Sequence, residues 1–134
     1  MNQTAIRAAL EQRLKTWADA HAPPLKIAWQ NVEFTPPTGP HLRAFLLPGE
    51  TLDPTIGGGH QRRIGLFQVS VYAPEGIGPS LGDELADDIV SLFPRGLSIC
   101  GVQIDSTPSI AGPRPEPGWS VTPVSIRYRV DIFA

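Results

Sequence analysis

The stretch Arg62 to Phe93 reads RRIGLFQVSVYAPEGIGPSLGDELADDIVSLF: one strand, one turn and one amphipathic helix in succession. Along an extended chain Ile64, Leu66, Gln68, Ser70 and Tyr72 lie on one side, with Phe67, Val69, Val71 and Ala73 on the other. The second side is continuously apolar and belongs against a core. Pro74 ends the strand, Gly76 and Gly78 turn the chain, and Pro79 suits the first position of a helix, where its missing N–H has no partner. Leu81, Leu85, Ile89 and Leu92 then recur at helical spacing. The pattern predicts half of an α+β domain and, taken as pattern, carries no chemistry.

Upstream of this unit, Ile6, Leu10, Leu14 and Trp17 form one apolar stripe and predict a first helix from Thr4 to about Ala20. Asn2 or Thr4 can cap it, and Pro23 and Pro24 forbid its continuation. Leu25 to Phe34 reads as a strand with a bulge near Gln30 and Asn31. His41 to Leu47 reads as a second strand ended by Pro48 and Gly49. The Thr35 to Pro40 turn between them predicts an antiparallel hairpin. Glu50 to Gln61, with Gly57, Gly58 and Gly59, predicts a long mobile connection.

Downstream, Leu97 to Cys100 and Val102 to Ile104 are short apolar runs broken at Gly101. The proline-rich stretch Ser106 to Gly118 returns across the domain with a short strand near Ser109 to Ala111. Val121 to Phe133 alternates throughout, with Val124, Ile126, Tyr128, Val130 and Ile132 inward and Ser125, Arg127, Arg129 and Asp131 outward. Runs of strands beside two separate helices predict an α+β sandwich, a mostly antiparallel sheet of about four to six strands with both helices on one face. No internal repeat is present.

A chain of 134 residues is the length of one domain, expected to span 1–134. Its net charge of −2 offers no broad positive field, which argues against nucleic-acid binding. Cys100 is the sole cysteine, so no internal disulfide forms and an intracellular setting is expected. Met1 to Ala20 mixes charge with apolar residues and reads as neither signal peptide nor anchor, and no run approaches the roughly 20 apolar residues of a membrane span. Fifteen prolines and thirteen glycines gather between the periodic segments and predict long, shaped loops.

Few residues stand in a reactive arrangement. Gly57-Gly58-Gly59-His60 superficially suits a phosphate loop, but the glycines precede Arg62-Arg63 and a strand rather than a helix, so a flexible loop is the better reading. Asp83, Glu84, Asp87 and Asp88 occupy the first half of a helix, where the dipole favours negative charge on a solvated face; the alternative is a patch that meets a basic surface on another subunit. His21, His41 and His60 lack metal-ligand spacing and read as ordinary polar loop residues. No serine stands in a nucleophile elbow. No catalytic, cofactor-binding or metal residue is therefore assigned. Arg127 and Arg129 share one side of the last strand, with Arg62 and Arg63 at the mouth of the third. Alternation is expected to put all four on the sheet face away from the helices. With Trp119 they are the candidate interface residues, because arginine and aromatics are enriched where subunits meet.

The strand Arg63 to Tyr72 with Ala73-Pro74, the Gly76 to Gly78 turn, the helix Leu85-Ala86-Asp87-Asp88-Ile89 ending in Leu92-Phe93, and the last strand with Gly118-Trp119 and Tyr128-Arg129 together resemble the tail-terminator proteins of long non-contractile-tailed bacteriophages, of the lambda minor tail protein U type. The resemblance implies a structural phage or prophage protein without a cofactor. It implies a subunit that closes as a hexameric ring on the finished tail tube, ends tube polymerisation and joins the head connector. The implied partners are other copies of itself, the tail tube protein and the head-tail connector protein, with no membrane and no nucleic-acid sequence recognised. Such a subunit can rest as a monomer in solution, in the host cytoplasm during assembly, before it enters the virion tail. Another tail or neck component of related fold is the near alternative. A small hydrolase or ligand-binding enzyme using His60 with a loop carboxylate is the distant one.

Overall fold

Asn2 starts the first helix by accepting the Ala5 N–H at 2.9 Å on its side-chain oxygen, which satisfies one of the donors a helix N-terminus leaves free. In the computed structural model, which describes residues 2–133, α1 runs Gln3–Ala20 and α2 runs Ser80–Leu92. Ile6, Leu10 and Leu14 of α1 are fully buried, each worth roughly 1.5–3 kcal/mol of hydrophobic stabilisation. Leu85, Ala86 and Ile89 of α2 join the same core. Pro79 lies one position before α2, as its cap.

The eight strands are β1 (Lys26–Ala28), β2 (His41–Leu52), β3 (His60–Pro74), β4 (Ser98–Ile99), β5 (Val102–Ile104), β6 (Ser109–Ile110), β7 (Arg114–Glu116) and β8 (Trp119–Phe133). They form one curled sheet in the order β1-β2-β3-β8-β5-β4, with β6 and β7 also pairing with β8. β3 and β8 pair without a break from His60↔Phe133 to Pro74↔Trp119. The register aligns Leu46, Phe67 and Ile126 in one row and Ala44, Val69 and Val124 in the next. These rows face the helices, and Phe67 meets Phe93 edge to face at 6.0 Å.

The α+β class and the two helices agree with expectation, but the sheet departs from it twice. It is mixed, not mostly antiparallel, because β1 lies parallel to β2 through Lys26↔His41 and Ala28↔Arg43. No hairpin joins them. Asn31 takes a left-handed φ of 59°, and the prolines that follow supply no ladder donors, so the chain crosses back before re-entering the sheet. Gln30 substitutes for a longer β1, its side-chain oxygen accepting the Leu46 N–H at 3.0 Å.

The sheet also has eight strands in place of four to six. Prolines divide the segment from Ser106 to Gly118 into β6 and β7, two short pieces against one edge of β8. On the opposite side of the sheet, β2 passes through Pro48 by a bulge and continues to Leu52, pairing Thr51 with Arg63 and Leu52 with Arg62. The expected long connection therefore shrinks to the tip of a hairpin, where Gly57 and Gly58 adopt φ of 103° and 79°.

Candidate subunit interface

The sheet face turned away from the helices carries Phe45 and Leu47 from β2, Ile64 and Leu66 from β3, and Arg127 and Arg129 from β8. Leu47, Leu66 and Arg127 form one row across three strands. Phe45 is 37% and Leu47 44% exposed, so this face presents an apolar strip beside an exposed guanidinium. Among the described residues the Arg127 side chain makes no hydrogen bond or ion pair.

Arg62 and Arg129 are already engaged. Asp131 Oδ1 accepts from Arg62 Nε and from His60 Nε2, each at 2.8 Å. Asp131 Oδ2 lies 3.3 Å from Arg129 Nε, a charge contact without hydrogen-bond alignment. Arg129 also donates to Gln103 and, at 3.3 Å, to Asp105 Oδ1. The Arg62 hydrogen bond is the main reason the Asp131 carboxyl stays below its ordinary range, with His60 adding to it against partial burial.

Arg63 does not share this face. It stands opposite Val130, on the helix side of the sheet, because adjacent residues of a strand point to opposite faces. Its expected place beside Arg62 is corrected by that alternation. Trp119 is the first residue of β8 rather than part of a loop, roughly 30 Å along the strand from Arg129 at about 3.3 Å per residue. Its ring meets His41 edge-on at 4.6 Å and lies 6.3 Å from Tyr72. The five predicted residues thus fall into four places: Arg127 with the apolar strip, Arg62 and Arg129 in the Asp131 network, Trp119 in an aromatic cluster, and Arg63 on the opposite side of the sheet.

The aromatic cluster was not expected. His41 is buried, stacked on Tyr72 at 4.8 Å and tilted against Phe34 at 5.5 Å, which corrects its reading as a polar loop residue. Burial lowers its pKa below 6.5, Arg43 adds to the effect and the Gly39 carbonyl opposes it. Tyr72 donates to Glu116 Oε2 at 3.0 Å, and the Arg43 guanidinium lies 5.3 Å from the Tyr72 ring. Alternation in β2 was the available signal: it puts His41, Arg43, Phe45 and Leu47 on one side, too apolar for a face left in water.

His60 does meet a carboxylate, as an enzyme reading would require. That carboxylate is shared with Arg62 and Arg129, and among the described residues no serine or cysteine hydrogen-bonds to the pair. Among the described residues no group of three His, Cys, Asp or Glu side chains is close enough to hold a metal ion. No helix of the described residues is long and apolar enough to cross a membrane.

The profile of a family described as "Phage tail terminator protein" matches residues 5–128. A solved structure that is 37% identical superposes with a TM-score of 0.83, covering 100% of this chain and 99% of that one. No curated protein matches the chain.

Proposed function

The chain belongs to the phage tail terminator family, and from that premise we propose that it caps the tail tube as a ring, ends tube polymerisation and forms the joint to the head connector. Its role in the phage tail is structural, and the finer assignment follows from what such a part must do. A ring of identical subunits needs a heterologous side-to-side contact that closes by rotation. The observation that supports it is the open sheet face, where Arg127, unpaired among the described residues, lies beside Phe45, Leu47 and Leu66. Arginine flanked by apolar surface is the composition of a protein contact rather than of a solvated face.

Arg127 is the contact residue in this reading. Arg62 and Arg129 shape the surface around it through Asp131, Trp119 stands farther along the same sheet face, and Arg63 lies on the helix side. The partners are further copies of this chain, the tail tube protein and the connector protein. The assigned location is the virion tail, reached from the host cytoplasm.

The test is a tube-length assay. Purified tail tube protein is allowed to polymerise with and without this chain, and lengths are measured by electron microscopy. The expected outcome is tubes that stop growing and carry a ring at one end. Tubes of unchanged, open-ended length with no bound chain would overturn the capping role.

A further inference from the structure

The β2–β3 hairpin and the outer side of α1 are complementary surfaces on one chain. Ile56, at the hairpin tip, is 107% exposed, and the three glycines after it leave its side chain unobstructed. Leu52, at the base of the tip, is 40% exposed. On the helix side a groove of about 820 Å³ is lined by Ala5, Ala8, Ala9, Trp17, Ile99 and Cys100. The alanines keep this side of α1 low, so another chain can approach its backbone. Charge matches as well: Glu50 and Asp53 are exposed on the hairpin, and residues 47–59 contain no Lys or Arg. The one charged residue lining the groove is Arg13.

We propose that the hairpin tip of one copy seats Ile56 in the α1 groove of the next copy, with Glu50 and Asp53 toward Arg13. This deepens the ring reading and rests on it, since donor and acceptor are different surfaces and each copy offers both, the arrangement that propagates head to tail and closes into a ring. One hairpin tip covers little of the roughly 800 Å² per partner that a stable pair buries. It therefore acts together with the Arg127 face, and each contact alone is weak.

Cys100 makes the contact directly testable, being exposed in the groove and the only thiol in the chain. Ile56→Cys adds a second thiol at the tip, and Ile77→Cys adds one at an exposed site outside both surfaces. Both replace exposed side chains, so the fold is retained. Under mild oxidation of concentrated protein, I56C is expected to give a ladder of disulfide-linked oligomers at least about tenfold faster than I77C, because docking raises the local thiol concentration. The ladder disappears in I56C/C100S, which leaves only tip-to-tip dimers. Linkage of I56C no faster than I77C overturns the docking. Light scattering on the unmodified chain under the same conditions separates the readings: assembly without I56C–Cys100 linkage rejects the hairpin contact and spares the ring, whereas a ladder from a chain that leaves tube length unchanged rejects the cap and spares the contact. Ile56→Asp supplies a second reading and is expected to lower the assembled fraction severalfold.

Discussion

Gly65 lies opposite Tyr128, and a methyl group there would sit 2.5 Å from the Tyr128 hydroxyl oxygen and 2.8 Å from the Leu47 carbonyl oxygen. What requires glycine here is the space already filled by the buried Tyr128 ring and by the Leu47 carbonyl. Gly65→Ala is expected to cost about 2 kcal/mol or more through overpacking, read from the urea midpoint. Adding Tyr128→Phe should recover only part of that loss, since the ring carbon at 2.7 Å and the carbonyl contact remain. His41 gives a pH-dependent term of definite sign. Its folded pKa lies below the 6.5 of the unfolded chain, so just below pH 6.5 the unfolded state binds more protons. Stability from this group is complete above that value and declines as pH falls toward the folded pKa. His41→Phe keeps the aromatic stack and removes the proton. The difference in urea midpoint between about pH 7.5 and 5.5 should therefore be smaller in H41F than in the parent chain.

At the ends of β3 and β8 beyond Arg63 and Val130, the Asp131 network and the stack of His60 on Phe133 add to the packing of Ile132 against the core. Asp131→Asn should cost about 1 kcal/mol, because the lost contacts are charge-assisted but partly exposed. Amide exchange should rise at residues 60–63 and 130–133 and stay unchanged at residues 67–71, since such openings are local. The same ends show how far elements could be read from the sequence. The helices and the long alternating strands were legible because burial imposes a period, and Phe67 to Ala73 and Val124 to Ile132 keep it. β6 was legible as well, as the short strand near Ser109 to Ala111, whereas β7 was not, since three residues carry no period and it exists only because the edge of β8 needs partners. The parallel setting of β1 was equally hidden. It depends on a left-handed Asn31 and on the Gln30 side chain reaching Leu46, and neither produces a period.

At the scale of the whole molecule, five residues could be picked from the sequence as interface candidates, but what each one touches could not. Alternation correctly put Arg62, Arg127 and Arg129 on one face, whereas the division between free and engaged cations is set by Asp131, Asp105 and Gln103, which converge only in the folded sheet. That division separates stability from assembly. Arg127→Glu changes an exposed residue that has no partner among the described residues and should leave unfolding free energy within about 0.5 kcal/mol. Arg129→Glu puts a carboxylate beside Asp131 and Asp105, so it should lower stability by about 1–2 kcal/mol and move the urea midpoint down. If the open face closes the ring, R127E must lose ring formation on the tube while unfolding like the parent chain. R129E, by contrast, should lose both together. Equal assembly of R127E and the parent, measured by the same tube-length assay, would move the ring contact off this face and onto the hairpin and α1 groove alone.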